Sequence, residues 1–278
     1  MIFVIFGVLG LAFGSFVNAW VWRTRQVLDD AGEPKKLNKK EKAEYSILKG
    51  RSMCPNCRQS LKALDLIPLF SWLFLAGKCR YCKKPISVQY PIVEFATAVL
   101  FVVSYVLLPT STNWEWVGLF TWLVGLTGLV ALAIYDAKWM ILPNTILRPL
   151  YGLVGAGLVA QFIVGRPLTQ VFSILGAIAV CSGLFLVLFL ISKGRWIGYG
   201  DVMLGLLTGA LIGSTMSAVF SIFTASVLGM VWSLPLLILK KVPKNTKIPF
   251  GPFLIAGAIL AVFFGADILN WYKGLLII

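Results

Sequence analysis

Long uncharged apolar runs, separated by short loops that carry most of the charge, limit what this chain can fold into. A bilayer core about 30 Å thick is crossed by roughly 20 apolar helical residues. Lipid offers the backbone no hydrogen-bond partner, so only helices or closed barrels cross it. The chain is 59% hydrophobic and 13% charged, and it reads as an all-α polytopic membrane protein. The runs fall at Met1–Trp22 and at about 91–108, 116–135, 149–164, 168–191, 202–212, 216–239 and 250–266. They predict about eight transmembrane helices, with six to eight possible if the short run 202–212 does not cross. Met1–Trp22 has no basic stretch ahead of its apolar run, so it is expected to be a retained first span rather than a signal peptide. The division expected is a first helix (1–22), a basic cytoplasmic domain (23–90) and a multi-span domain (91–278).

The formal net charge is +14, and fifteen of the 25 Lys and Arg lie between Arg23 and Lys84. Others follow the spans in short loops: Lys138, Arg148, Lys193, Arg195 and the group Lys240, Lys241, Lys244 and Lys247. This is the pattern that the positive-inside rule produces, and it is preferred to nucleic-acid binding. It puts the N-terminus outside and the basic loops in the cytoplasm, with only Arg166 and Lys273 on the outer side. The stretch 26–51 is polar and Lys-rich, and its run Lys35–Lys40 is expected to be a solvated, mobile segment, with contact to anionic lipid as the alternative.

Histidine is absent. That excludes Ser-His-Asp and Cys-His hydrolysis and His-ligated zinc catalysis. A hydrolase here must use carboxylates, Lys, Ser or Cys.

Cys54-Pro55-Asn56-Cys57 and Cys79-Arg80-Tyr81-Cys82 are two CxxC pairs at a separation suited to a four-thiolate tetrahedral site, with zinc the expected metal. Disulfides are disfavoured in a cytosolic loop. With no open ligand position, the zinc is expected to be structural. The insert between the pairs includes the apolar run Leu66–Phe74, too short to cross and suited to packing on the membrane surface or the spans. Cys181, inside a span, reads as a small apolar residue.

Asp136 and Asp201 each sit at the edge of an apolar run. Apart from Glu94, they are the only acidic residues placed inside or at the lip of the apolar part, and ionisable groups there are costly enough to suggest function. The charge-based topology puts both on the cytoplasmic face. Two carboxylates held close together share a proton, which is aspartic-protease chemistry. Gly198 and Gly200 leave room for a substrate strand beside the backbone. Asp201 opens a helix and Asp136 closes one, so the helix dipoles suggest Asp201 as base and Asp136 as protonated partner. Helix capping, pairing with nearby cations and proton transport are the other uses of such residues.

In order along the chain come Phe13-Gly14-Ser15-Phe16-Val17-Asn18, the CxxC pairs, Asp65-Leu66-Ile67-Pro68, Ser71-Trp72-Leu73, Gly77-Lys78-Cys79 and Tyr90-Pro91-Ile92-Val93-Glu94. Tyr135-Asp136, Ile141-Leu142-Pro143-Asn144, Gly198-Tyr199-Gly200-Asp201 and Ile248-Pro249-Phe250-Gly251-Pro252-Phe253 follow. This ordered set resembles the type IV prepilin peptidases, GxGD-type aspartic proteases of bacterial inner membranes. The resemblance implies cleavage of the basic leader from prepilins and pseudopilins at the cytoplasmic face, by Asp136 and Asp201. It also implies N-methylation of the new terminus with S-adenosylmethionine, with Glu94 and Asn18 on the methylation side and zinc on Cys54, Cys57, Cys79 and Cys82. Arg23-Thr24-Arg25-Gln26 departs from the Arg-Leu-Pro type sequence common in the family. No glycine-rich nucleotide fingerprint locates a methyl-donor pocket. A peptidase with only a structural zinc domain is the nearest alternative. A proton-coupled transporter is the remaining one, disfavoured by the absence of an evident internal repeat.

Overall fold

Asn18, Arg23 and Glu94 are buried polar side chains in otherwise apolar helices, and each ties a span to the segment beside it. The computed structural model describes residues 1–47, 49–238 and 248–276. It divides by packing into two units, Met1–Leu107 and Leu108–Ile278. The boundary falls after α4 (Gln89–Leu107) because that span packs on α1 (Ile2–Val27), whereas composition alone divides the chain near residue 90. The described residues contain no strand, only three isolated bridges.

In the first unit, Gly10 and Gly14 let α1 and α4 touch backbone to backbone. A Cβ on Gly10 would lie 2.5 Å from Ala98 Cα, and one on Gly14 2.6 Å from Glu94 Cα. This is the close helix approach that small residues spaced by four permit in lipid. At the end of α1, the buried Arg23 guanidinium donates to the carbonyls of Ser46 (2.7 Å), Ile47 (3.1 Å) and Gly50 (2.9 Å). A buried cation needs such partners. The polar stretch after α1 is therefore anchored near its end, and it contains α2 (Lys39–Glu44), opened by a capping box between Asn38 and Glu41. Its lysines stay exposed or half-exposed.

In the second unit, α5 (Asn113–Trp139) is the central helix, with Leu126, Leu129, Leu132 and Tyr135 fully buried. α6 (Asn144–Ile163) packs antiparallel to it. α6 starts five residues before the expected boundary, with Pro149 inside it. Close to a helix start, Pro removes only one intrahelical bond. α7 (Gln170–Ile178) and α8 (Leu184–Ser192) form one span joined by a π-helical turn at Ala179–Gly183. α9 (Tyr199–Ile212) seats Gly205 and Gly209 against that span, where a Cβ on Gly209 would lie 2.7 Å from Ile178 Cα. Cys181 is buried at this contact. α10 (Thr215–Ile238) and α11 (Gly251–Leu276) complete the unit.

Among the described residues, seven helices are long and apolar enough to cross a membrane. The expected eighth, α9, has 14 residues, or about 21 Å at 1.5 Å per residue, short of a 30 Å core. α11 runs ten residues past the apolar run that ends at Ala266 and carries Asp267, exposed, within it. Asp136, Asp201 and Glu94 are thus not the only acidic residues in these helices. The lysine group at 240–247 lies outside the described residues.

Candidate functional site

Asp136 occupies the last turn of α5, which ends at Met140 in the left-handed conformation. The chain then turns through Leu142 into α6. Leu142 also meets Gly200 at the start of α9: a Cβ on Gly200 would lie 3.2 Å from Leu142 Cδ1. That contact carries Asp201, in the first turn of α9, towards Asp136. Asp136 is buried and Asp201 half-buried. Gly198 caps α9 in an extended conformation, with Asp201 N–H donating to its carbonyl at 3.1 Å.

A residue without an assigned role in the sequence reading completes this arrangement. Gly251 N–H, the first of α11, donates to Asp136 Oδ2 at 3.0 Å. A Cβ at Gly251 would lie 2.6 Å from the same oxygen. Gly251 stands in the Ile248–Phe253 motif, the one available signal, but nothing local names its partner. Asp136 thus closes α5 and also faces the N-terminus of α11. The dipole argument that made Asp201 the base loses its asymmetry, because both carboxylates meet a helix N-terminus.

The cysteines lie in the first unit, on two turns of the same design. Met53 bridges Ser60 and Lys78 bridges Pro85. Cys54 N–H donates to Gln59 O (3.0 Å) and Cys79 N–H to Lys84 O (2.9 Å), while Arg58 and Lys83 take φ of 56° and 59°. The four sulfurs lie within 4.8 Å of one another, and Cys54 Sγ is 3.9 Å from Cys82 Sγ. Four thiolates at about 2.3 Å from a tetrahedral zinc stand about 3.8 Å apart, so the cluster fits that ion. Burial pushes the Cys54 thiol up to about 11. Burial acts the same way on Cys79, but the N–H groups of Cys82 and Tyr81 and the neighbouring thiols draw it down to about 7.

The insert between the turns is stitched to the second one. The Asp65 side chain is 3% exposed and accepts from Arg80 Nε at 2.6 Å, Tyr81 OH at 3.2 Å and Lys62 N–H at 3.1 Å. These bonds outweigh burial and hold its carboxyl below the ordinary range. Trp72 Nε1 donates to Ile86 O at 3.2 Å and its ring covers Gly77, whose φ is +68°. Glu94 Oε2 accepts Leu69 N–H at 2.8 Å, at the start of the short helix α3 (Phe70–Phe74). Leu69 has a φ of 60°, a strained position for Leu that this bond helps to hold. Asn18 Nδ2 donates to Tyr90 O at 3.1 Å, and its Oδ1 is buried without a partner among the described residues. The Glu94 carboxylate is committed to Leu69 and Ser15.

The family model "Bacterial Peptidase A24 N-terminal domain" matches residues 8–108. "Type IV leader peptidase family" matches residues 123–234. A Legionella pneumophila protein named prepilin leader peptidase/N-methyltransferase is 30% identical, the match covering 98% of this chain and 94% of that protein. The chain belongs to the type IV leader peptidase family. Proteins of the same name from Pseudomonas aeruginosa (32% identical; 95% of this chain, 91% of theirs) and Aeromonas salmonicida (31%; 94% and 90%) are similar over nearly their whole length. The family membership makes this chain an enzyme of the prepilin peptidase class. No solved structure matches it.

Proposed function

We propose that the chain cleaves the leader from type IV prepilins and pseudopilins at the cytoplasmic membrane face, with Asp136 and Asp201 as the catalytic pair. One observation carries this reading: Asp136 and Asp201, 65 positions apart in sequence, stand at one end of the second unit, where Leu142 beyond α5 packs on Gly200 of α9 and Gly251 of α11 donates to Asp136. The pair shares one proton. The ionised carboxylate takes a proton from water as its oxygen attacks the scissile carbonyl carbon, and the protonated one donates to the carbonyl oxygen. Collapse of the diol then breaks the C–N bond, and a carboxyl returns a proton to the leaving amine. Gly198, where a Cβ would meet nothing closer than Asp201 Oδ2 at 3.8 Å, leaves the substrate backbone room beside the pair, while Leu142 fills the space at Gly200.

The N-terminus lies outside and the basic loops, with the pair, lie inside, in a bacterial inner membrane. A prepilin suits this site: its apolar helix sits in the bilayer and its leader reaches the cytosol. Cys54, Cys57, Cys79 and Cys82 hold a structural zinc that closes the first unit's cytoplasmic part. The relatives' names support a second activity, N-methylation of the new terminus with S-adenosylmethionine as donor.

The test is mass spectrometry of a prepilin-like membrane peptide incubated with the purified protein and S-adenosylmethionine. The reading predicts a leader-free product carrying one added methyl. A leader-free, unmethylated product leaves a peptidase alone. An intact peptide contradicts the proposal.

A further inference from the structure

Arg166 and Lys273 are the two basic residues that the charge-based topology leaves on the wrong side, and they line the same cavity. That topology assigns the other eight Lys and Arg after residue 107 to the cytoplasmic side. The cavity, of about 490 Å³, lies at the end of the second unit remote from Asp136, between the first turns of α5 and α10 and the last turns of α6, α9 and α11. It exists because α9 stops short. At about 21 Å, this helix leaves roughly 9 Å of a 30 Å core unfilled beyond Ile212. The floor is apolar and the rim polar, which is the make-up of a small-molecule site.

Arg166 is held in place on this rim. Its Nη1 donates to Gln161 Oε1 at 2.6 Å and its Nε to Gln170 Oε1 at 2.9 Å. Gln161 is itself 3% exposed. The guanidinium lies over the rings of Trp114 (5.7 Å) and Phe162 (5.6 Å). Nη2 has no hydrogen-bond partner among the described residues and faces Gly213, where a Cβ would lie 3.3 Å from it. Among the described residues, no carboxylate forms a salt bridge with Arg166. Glu115 lines the same cavity, but its carboxylate accepts the N–H groups of Ser111 and Thr112 at 2.8 Å each. The result is a fixed, half-buried guanidinium above an apolar floor, with one donor edge free and a second cation nearby.

We propose that this cavity binds an anionic phospholipid, with Arg166 hydrogen-bonding the headgroup phosphate, Lys273 supplying the second charge and the acyl chains filling the apolar floor beneath α9. A planar guanidinium is the side chain best matched to phosphate oxygens. Basic pockets between spans hold lipid headgroups in the same way. A free phosphate would meet the rim but leave the floor empty. The proposal stands apart from the catalytic reading, because it concerns neither Asp136 nor Asp201.

Native mass spectrometry of the purified full-length protein in neutral detergent tests it, with phosphatidylglycerol, phosphatidylcholine or inorganic phosphate titrated in. The expected result is saturable retention of one phosphatidylglycerol, with phosphatidylcholine weaker. Arg166→Gln should weaken retention by about tenfold or more, the scale of one lost charge-assisted hydrogen bond. Lys273→Gln should weaken it less, and its exposed position keeps it informative even where Arg166→Gln fails to fold. Equal retention of both lipids overturns the proposal. So does wild-type retention by both variants, or displacement of the lipid by inorganic phosphate at equal concentration.

Discussion

Asp136 and Gly251, 115 residues apart, are joined by a 3.0 Å hydrogen bond from the glycine N–H to carboxylate Oδ2. The bond links the end of α5 to the start of α11. It fixes one oxygen of Asp136, and the space beside that oxygen excludes any side chain at position 251. The carboxylate is therefore oriented by a backbone group, which has no rotamer to lose.

Gly251→Ala should displace Asp136 without removing it. Misplacing a reacting group by about 1 Å costs on the order of 10²-fold in rate. We expect kcat to fall by about that factor on a prepilin-like peptide, while helix content by circular dichroism and zinc content match wild type. Unchanged kcat would mean that the Gly251 contact does not orient the reacting group.

Cys79→Ser should release zinc from the first unit. Without the ion, the two turns keep only their own backbone bonds and the stitches from Asp65 and Trp72. Metal analysis should show near-stoichiometric zinc in wild type and little in the variant, and limited proteolysis should open the chain between Cys54 and Cys82. Full zinc retention by the variant would exclude a four-thiolate site.

Glu94→Ala should free α3. The carboxylate holds Leu69 N–H, and a buried donor left unpaired costs about 1–3 kcal/mol. Glu94→Gln keeps an acceptor oxygen and should retain most of the order. Amide exchange at Leu69–Phe74 distinguishes them, with fast exchange expected only in the Ala variant. Equal protection in both would show that Glu94 does not hold this helix.

Gly14→Leu should separate α1 from α4, because a Cβ there would lie 2.6 Å from Glu94 Cα and backbone cannot yield as a side chain does. Overpacking of this kind costs about 1–3 kcal/mol. A cysteine pair engineered across α1 and α4 should crosslink readily in the wild-type background and slowly in the Gly14→Leu background. Equal crosslinking in the two backgrounds would show that the helices do not depend on this close approach.

Much of this was legible in the residues. Apolar runs mark the helices because lipid enforces helical hydrogen bonding, and the two CxxC pairs mark the sulfur cluster because the ligand spacing is local. Arg166 and Lys273 stood out as exceptions to the charge pattern, although nothing in sequence said that they share a cavity. The Gly251 contact was hidden because it joins residues 115 positions apart. Arg23 reads as a topology signal, and only its burial against three carbonyls shows its anchoring role. The apolar run 250–266 does not mark the end of α11, because Asp267, Asn270 and Lys273 break the run without breaking the helix. Pro149 reads as a helix boundary in sequence, yet α6 begins at Asn144 and carries it inside.

The paired-aspartate claim is tested most directly by single-turnover cleavage of a prepilin-like membrane peptide by wild type, Asp136→Asn and Asp201→Asn, with zinc content and helicity checked for each. Both variants should lose roughly 10²–10⁴-fold in rate, the scale of a positioned acid–base group, with fold and zinc intact. Wild-type cleavage by either variant would contradict the shared-proton pair.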